Sequence, residues 1–128
     1  MSLELALILG LLLHFAGDYL LQNDWMAKNK TRENFVCYVH CLLYTLPFGL
    51  VLRQSPWLFF VFATHFAIDR WRLAEYWIRL VNWHWSGDNY GYDETKPKYM
   101  SVWLLIVIDN TFHILLNSLA IWLSRTTL

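Results

Sequence analysis

The chain has 128 residues and a formal net charge of zero, so it is large enough for one domain and has no excess of basic residues. Hydrophobic residues make up 57% of it and charged residues only 16%, below the roughly 25% of an average soluble domain. This composition excludes a typical soluble domain and predicts no binding to nucleic acid. We predict an all-α polytopic membrane protein, with residues 1–128 forming a single four-helix transmembrane domain.

The first predicted element is a transmembrane helix over Leu3–Leu21, which ends at the polar residues Gln22, Asn23 and Asp24. A bilayer span takes about 20 mostly apolar residues, so this run is long enough. A cleaved signal peptide would begin with basic residues, but no Lys or Arg precedes the run. We therefore expect a retained helix.

Three further apolar runs predict three more spans, at Phe35–Leu52, Trp57–Trp71 and Met100–Leu123. Pro47 lies inside the second run and is expected to kink it, because proline has no N–H to donate. The third run is short for a span, and the fourth is the longest of the four.

The connection between the third and fourth spans contains another predicted helix, over Leu73–Trp85. Its spacing places Leu73, Trp77 and Leu80 on one face, and its tryptophans suit the headgroup level of a bilayer. The segment Ser86–Lys98 contains two glycines and a proline, which predicts a loop. We expect an amphipathic interfacial helix followed by that loop.

The positions of the basic residues predict an orientation. Eight Lys and Arg residues lie on the side of the loops that follow spans one and three, and two lie on the other side. Positive residues accumulate in cytoplasmic loops. The chain is therefore expected to be a multi-pass protein of the inner (cytoplasmic) membrane with both termini outside.

Ionisable residues recur inside the predicted spans. They are His14, Asp18, His40, His65, Asp69, Asp109 and His113. Six of them form pairs separated by four positions, so each pair shares a helix face. An aspartate at the centre of a membrane helix costs about 2.5–3.5 kcal/mol on the insertion scale, so such residues are expected to be paired or to bind something.

The order within the pairs predicts that they converge. Spans one and three have His before Asp, whereas the antiparallel span four has Asp before His. The carboxylates should therefore lie toward the cytoplasmic side and the imidazoles deeper on all three helices. Imidazole and carboxylate together suit a divalent transition metal, namely zinc, manganese, iron or nickel.

We predict a metal site that is formed by these seven residues and opens toward the cytoplasm, with Asp18, Asp69 and Asp109 also serving as catalytic carboxylates. The alternative is a hydrogen-bonded network that only holds the helices together.

Other polar residues near the pairs have simpler interpretations. Gln22 and Asn117 extend two of the pairs by four positions, which favours interhelical hydrogen bonds over orientation of metal ligands. Cys37 and Cys41 are more typical of small buried residues than of zinc thiolates. Arg70 is expected at the headgroups, where it could also contact an anionic substrate.

The whole pattern resembles a known family. It consists of His14-Phe-Ala-Gly-Asp18-Tyr-Leu-Leu-Gln22, His40, His65-Phe-Ala-Ile-Asp69-Arg70 and Asp109-Asn-Thr-Phe-His113. It resembles the short bacterial and phage membrane proteins grouped as domain of unknown function 3307, over nearly the whole chain. The resemblance supports the four spans and the choice of residues, and implies no activity.

Three classes of function fit these features. The first is a membrane-embedded metal-dependent hydrolase that acts on a phosphate-containing or lipid substrate from the cytoplasmic side. The second is a transporter of metal ions or protons, and the third is a non-catalytic interaction protein with a structural His/Asp network. Its expected partners are the lipid bilayer and, for a hydrolase, a small substrate, with a homo-oligomer left open.

Overall fold

The structure is a computed structural model and describes residues 1–53 and 56–127. Within those ranges it contains helices and no strands. The helices are α1 (Leu3–Phe15), α2 (Asp24–Asn29), α3 (Asn34–Thr45), α4 (Gly49–Leu52), α5 (Pro56–Arg70), α6 (Leu73–Asn82) and α7 (Lys98–Thr126). A π-helical turn at Ala16–Leu20 continues α1, and a 3-10 turn at Leu46–Phe48 joins α3 to α4.

Three helical stretches are long and apolar enough to cross a membrane. They are Leu3–Leu20, Asn34–Leu52 and Lys98–Thr126. The remaining predicted span corresponds to α5, which has 15 residues and is therefore about 22 Å long, against about 30 Å for a hydrocarbon core. The all-helical prediction is confirmed for the described residues, and membrane insertion is compatible with three of the helices.

Local sequence explains where several helices begin and end. The Ser2 hydroxyl accepts a hydrogen bond from the Leu5 amide and caps α1. The Asn23 side chain accepts a hydrogen bond from the Met26 amide and caps the start of α2. This short helix lies in a stretch that was predicted to be a polar connection. Pro47 lies in the 3-10 turn, as expected of a residue that cannot continue the α-helical hydrogen bonds.

Helix α6 confirms a helix between the third and fourth apolar runs, although it ends at Asn82 and not at Trp85. It ends there because Trp83 adopts a left-handed backbone conformation, with φ of 51°. Its buried residues are Ala74 and Ile78. The apolar face predicted from the sequence stays exposed, and it consists of Leu73, Trp77 and Leu80.

The long helices form a bundle in which α7 packs against both α1 and α5, and α3 packs against α5. One end of the bundle has an apolar core, formed by Ala6, Tyr44, Phe48, Val51, Leu52, Val61, Ala120 and Ile121. The buried His and Asp residues lie toward the other end, while many large apolar side chains face outward. Polar residues inside and apolar residues outside are typical of a bundle in lipid.

Candidate metal centre

Four of the seven predicted ligands meet at one buried position. Asp18 comes from the π-helical turn, His40 from α3, and His65 and Asp69 from α5. Each offers one ligand atom, and these four atoms lie within 4.8 Å of one another. The side chains are almost inaccessible, since none of the four residues exceeds 6% exposure.

The spacing of these atoms matches a small four-coordinate ion. His40 Nε2 and His65 Nε2 are 2.9 Å apart. Asp18 Oδ1 lies 3.2 and 3.4 Å from these two nitrogens, and Asp69 Oδ2 lies 3.1 and 3.2 Å from them. A tetrahedral ion with bonds of about 2.1 Å holds its ligand atoms about 3.4 Å apart. These five distances are within about half an ångström of that separation, so small side-chain movements would bring the atoms to the spacing of such an ion.

A second group adjoins the first and consists of Asp69, Asp109 and His113, again with ligand atoms within 4.8 Å of one another. His113 Nε2 is 3.3 Å from Asp69 Oδ1, the carboxylate oxygen that faces away from His40 and His65. His113 Nδ1 donates a hydrogen bond of 2.8 Å to the backbone carbonyl of Asp109. Asp69 thus belongs to both groups, with a different oxygen toward each.

His14 is buried beside the centre but belongs to neither group of ligand atoms. Its Nδ1 is 2.8 Å from the Tyr44 hydroxyl, and its Nε2 is 2.8 Å from Asn110 Oδ1. Asp18 Oδ2 is farther from it, at 3.5 Å. This placement makes His14 a hydrogen-bonding residue, and it could act as a metal ligand only if one of the two shorter bonds broke.

Tyr44 is a central residue of the site that the sequence analysis did not identify. Its hydroxyl also accepts a 2.6 Å hydrogen bond from Asn117, so this amide makes an interhelical bond as first interpreted. Its ring stacks on His65, with ring centroids 3.6 Å apart. Gly17 makes room for that ring, because a Cβ at position 17 would collide with Tyr44. An aromatic residue in an apolar run carries no signal of such a role.

Lys30 is the second residue that the sequence analysis missed. Its ammonium lies 2.7 Å from Asp69 Oδ2 and 3.4 Å from His40 Nε2, and its side chain is 15% exposed. Burial disfavours the charge of Lys30, but Asp69 and Asp18 outweigh burial and raise the pKa of Lys30 above its ordinary value. From the sequence alone, Lys30 contributes only to the number of basic residues expected on the cytoplasmic side.

A cleft of about 200 Å³ leads from the centre to the surface. All three carboxylates that were predicted to be catalytic line it, and it is also lined by Gln22, Lys30 and Arg72. The Gln22 side-chain oxygen is buried there without a hydrogen-bond partner. A small molecule could therefore approach the carboxylates without passing through the apolar end of the bundle.

Three other residues that the sequence singled out, Cys37, Cys41 and Arg70, do not line this cleft. Cys37 and Cys41 are buried with their sulfurs 3.9 Å apart, as expected of small core residues, and neither belongs to a ligand group among the described residues. Arg70 donates hydrogen bonds to Asn34 Oδ1 and to the Thr31 carbonyl, at 2.7 and 2.8 Å. It therefore ties α5 to the start of α3 and to the segment before it.

Comparison with known proteins gives one result. A model of the family described as "Protein of unknown function (DUF3307)" matches residues 6–127, which is nearly the whole chain. No curated protein and no solved structure matches the chain significantly.

Proposed function

We propose that this chain, which belongs to the DUF3307 family of proteins of unknown function, is a membrane-embedded metal-dependent hydrolase that acts on a phosphate-containing substrate. The observation that carries the proposal is the convergence of Asp18, His40, His65 and Asp69 on one buried point. Carboxylate oxygens only accept hydrogen bonds, and each imidazole Nε2 can offer at most one hydrogen. A divalent ion would satisfy all four atoms at once.

The charges of the site also favour a bound cation. Three carboxylates (Asp18, Asp69 and Asp109) line the cleft together with two cationic groups (Lys30 and Arg72), so with neutral imidazoles the formal charge is −1. An uncompensated negative charge is costly away from water, and a bound cation would offset it. Zinc, manganese, iron and nickel all accept these ligands, and the short distances between the ligand atoms favour tetrahedral zinc.

The proposed location is the inner membrane, with four spans, both termini outside and the cleft open to the cytoplasm. Three of the spans have the length and hydropathy that this requires. We assign the shorter α5 as the fourth span, because it packs between α3 and α7. The exposed apolar face of α6 would then lie at the headgroup level.

The groups that line the cleft support hydrolysis as the proposed reaction. A bound metal would polarise a phosphate oxygen and lower the pKa of a water molecule. Asp109 has a side chain that is 32% exposed and lines the cleft, so it can exchange protons with a bound water or substrate. Lys30 adds a positive charge that would attract a phosphate group.

The apolar core favours a site that is closed at one end and disfavours a pathway for ion transport. Among the described residues, Phe48, Val51, Val61 and Ile121 are buried together at the end of the bundle away from the cleft. An ion that crossed the protein would have to pass this layer without polar partners, which is unfavourable. The remaining alternative is a purely structural His/Asp network, which would bind no metal.

The proposal is tested first by elemental analysis of protein purified in detergent without a chelator. We expect at least one divalent transition metal per chain, and its loss in His65→Gln and Asp69→Asn. The matched control is His84→Gln, since His84 lies in neither ligand group. Removal of the metal should lower the melting temperature, and added metal should restore it by mass action. Wild-type protein that binds no metal would overturn the proposal.

A second assay tests the reaction. Metal-loaded protein in mixed micelles is incubated with p-nitrophenyl phosphate and with a short-chain phosphatidic acid, and phosphate release is measured. We expect metal-dependent release from at least one of them and none from Asp69→Asn. Stoichiometric metal without any release of phosphate would reject the hydrolase and retain a metal-binding protein.

A further inference from the structure

We propose that the centre binds two divalent metal ions, with the Asp69 carboxylate bridging them. The inference rests on the proposed metal binding. The first position is formed by Asp18, His40, His65 and Asp69 Oδ2, and the second by Asp69 Oδ1, Asp109 and His113.

The two oxygens of Asp69 face different sets of ligands. Oδ2 lies 3.1 Å from His40 Nε2 and 3.2 Å from His65 Nε2, whereas Oδ1 lies 3.3 Å from His113 Nε2. A carboxylate shared in this way can bind one ion through each oxygen. Paired ions in hydrolytic centres are about 3.5–4 Å apart, a separation that a single carboxylate can span.

His113 provides independent support for the second position. Its Nδ1 donates to the Asp109 carbonyl, and a carbonyl only accepts, so in the neutral ring the lone pair is on Nε2. That Nε2 is buried without a hydrogen-bond partner, in a residue that is 1% exposed, and it faces the Asp69 carboxylate. Two acceptors that face each other away from water need a cation or a proton between them.

The hydrogen bond from Nδ1 has a further consequence for the second position. Metal-binding histidines usually donate their other ring nitrogen to a carbonyl or a carboxylate, which sets the tautomer and the orientation of the ring. His113 already has this arrangement within one turn of α7. Its Nε2 is therefore prepared to bind an ion beside Asp69.

The two positions differ in the number of ligand atoms that the protein supplies. The first has four protein ligand atoms and the second has three, so the second ion would have the more open coordination. Asp109 also lines the cleft, so the open coordination position of the second ion would face the incoming substrate. Two divalent ions would change the formal charge of the cleft from −1 to +3. An anionic phosphoryl group is the class of ligand that would balance this charge.

The test is metal stoichiometry of the 128-residue chain in detergent, after removal of metal and reconstitution with Zn²⁺ and, separately, with Mn²⁺. We expect two ions per chain in the wild type and one in Asp109→Asn and in His113→Gln. The control variants are Asp24→Asn and His84→Gln, which alter the same residue types outside the centre and should keep two ions. Electron paramagnetic resonance should show two spin-coupled Mn²⁺ ions in the wild type and one uncoupled ion in Asp109→Asn.

The outcomes separate this inference from the proposed function. Wild-type protein without bound ions would overturn both. One ion in the wild type, unchanged in Asp109→Asn and His113→Gln, would overturn the second position and leave the proposed function standing. Two ions without spin coupling would overturn the bridging role of Asp69. Comparing two variants at the second position guards against one of them failing to fold.

Discussion

Gly17 and Tyr44 form the contact on which the position of His65 depends. The Tyr44 ring lies flat on the His65 ring and against the backbone at Gly17, and its hydroxyl bonds His14 and Asn117. One side chain thus joins α1, α3, α5 and α7 around the candidate metal ligands. The stacking leaves His65 little freedom to turn, so its Nε2 stays directed at the other ligand atoms.

Substituting Gly17→Ala should therefore weaken both the fold and the metal site. The added Cβ would collide with the Tyr44 ring, and overpacking of this kind typically costs about 1–3 kcal/mol. Gly49→Ala is the matched control, because a Cβ at Gly49 meets no atom within 4 Å. We expect a lower melting temperature and weaker metal binding in detergent for Gly17→Ala only. Equal behaviour of the two variants would show that the contact is not required.

At the scale of elements, the π-helical turn decides where the end of α1 directs its side chains. The Leu21 amide bonds the Ala16 carbonyl at 2.9 Å, which is an i→i+5 bond and makes a wider turn than an α-helix. His14 and Asp18 are four residues apart but lie across the start of this turn. Asp18 consequently faces His40 and His65, while His14 faces Tyr44 and Asn110.

Arg70 holds the end of α5 in place. It donates hydrogen bonds to Thr31 and Asn34, close in sequence to Lys30. We predict that Arg70→Gln loosens this segment, since hydrogen bonds to a charged group are worth about 1.5–3 kcal/mol and less where they are exposed. Hydrogen exchange of residues 30–36 should become faster, with a melting temperature a few degrees lower. Arg32→Gln is the control, because Arg32 is exposed. Unchanged exchange in Arg70→Gln would contradict this role.

At the scale of the whole molecule, apolar side chains cover much of the outside of the bundle, and buried His and Asp residues occupy one end of its interior. Exposed residues such as Leu12, Phe35, Leu50 and Trp103 cover its surface, whereas four histidines are at most 1% exposed. Lipid can solvate the first group but not the second.

The proposed orientation predicts the result of cysteine labelling in intact cells. Asp88→Cys lies in the loop between α6 and α7 and should react with a membrane-impermeant maleimide only after permeabilisation. Thr126→Cys lies at the end of α7 and should react without it. The wild type is the control, because Cys37 and Cys41 are 0% exposed and should not react. Labelling of Asp88→Cys alone in intact cells would reverse the orientation and place the cleft on the outer face.

Much of this protein follows from local patterns in its sequence. Hydropathy and length predict the long helices, because a bilayer demands a run of apolar residues wherever it is crossed. The cost of charge in an apolar run singles out the buried His and Asp residues. Six of those seven contribute to the two ligand groups, and all three predicted catalytic carboxylates line the cleft.

Only the tertiary structure decided how those residues are divided. It places Asp69 between the two ligand groups. The π-helical turn keeps His14 out of both groups, and Lys30 and Tyr44 contact the ligands from other parts of the chain. These features depend on distances between residues that are remote in the chain, and such distances are set by how the helices pack. Helical periodicity states which residues share a face, but the rotation and separation of neighbouring helices determine which atoms meet.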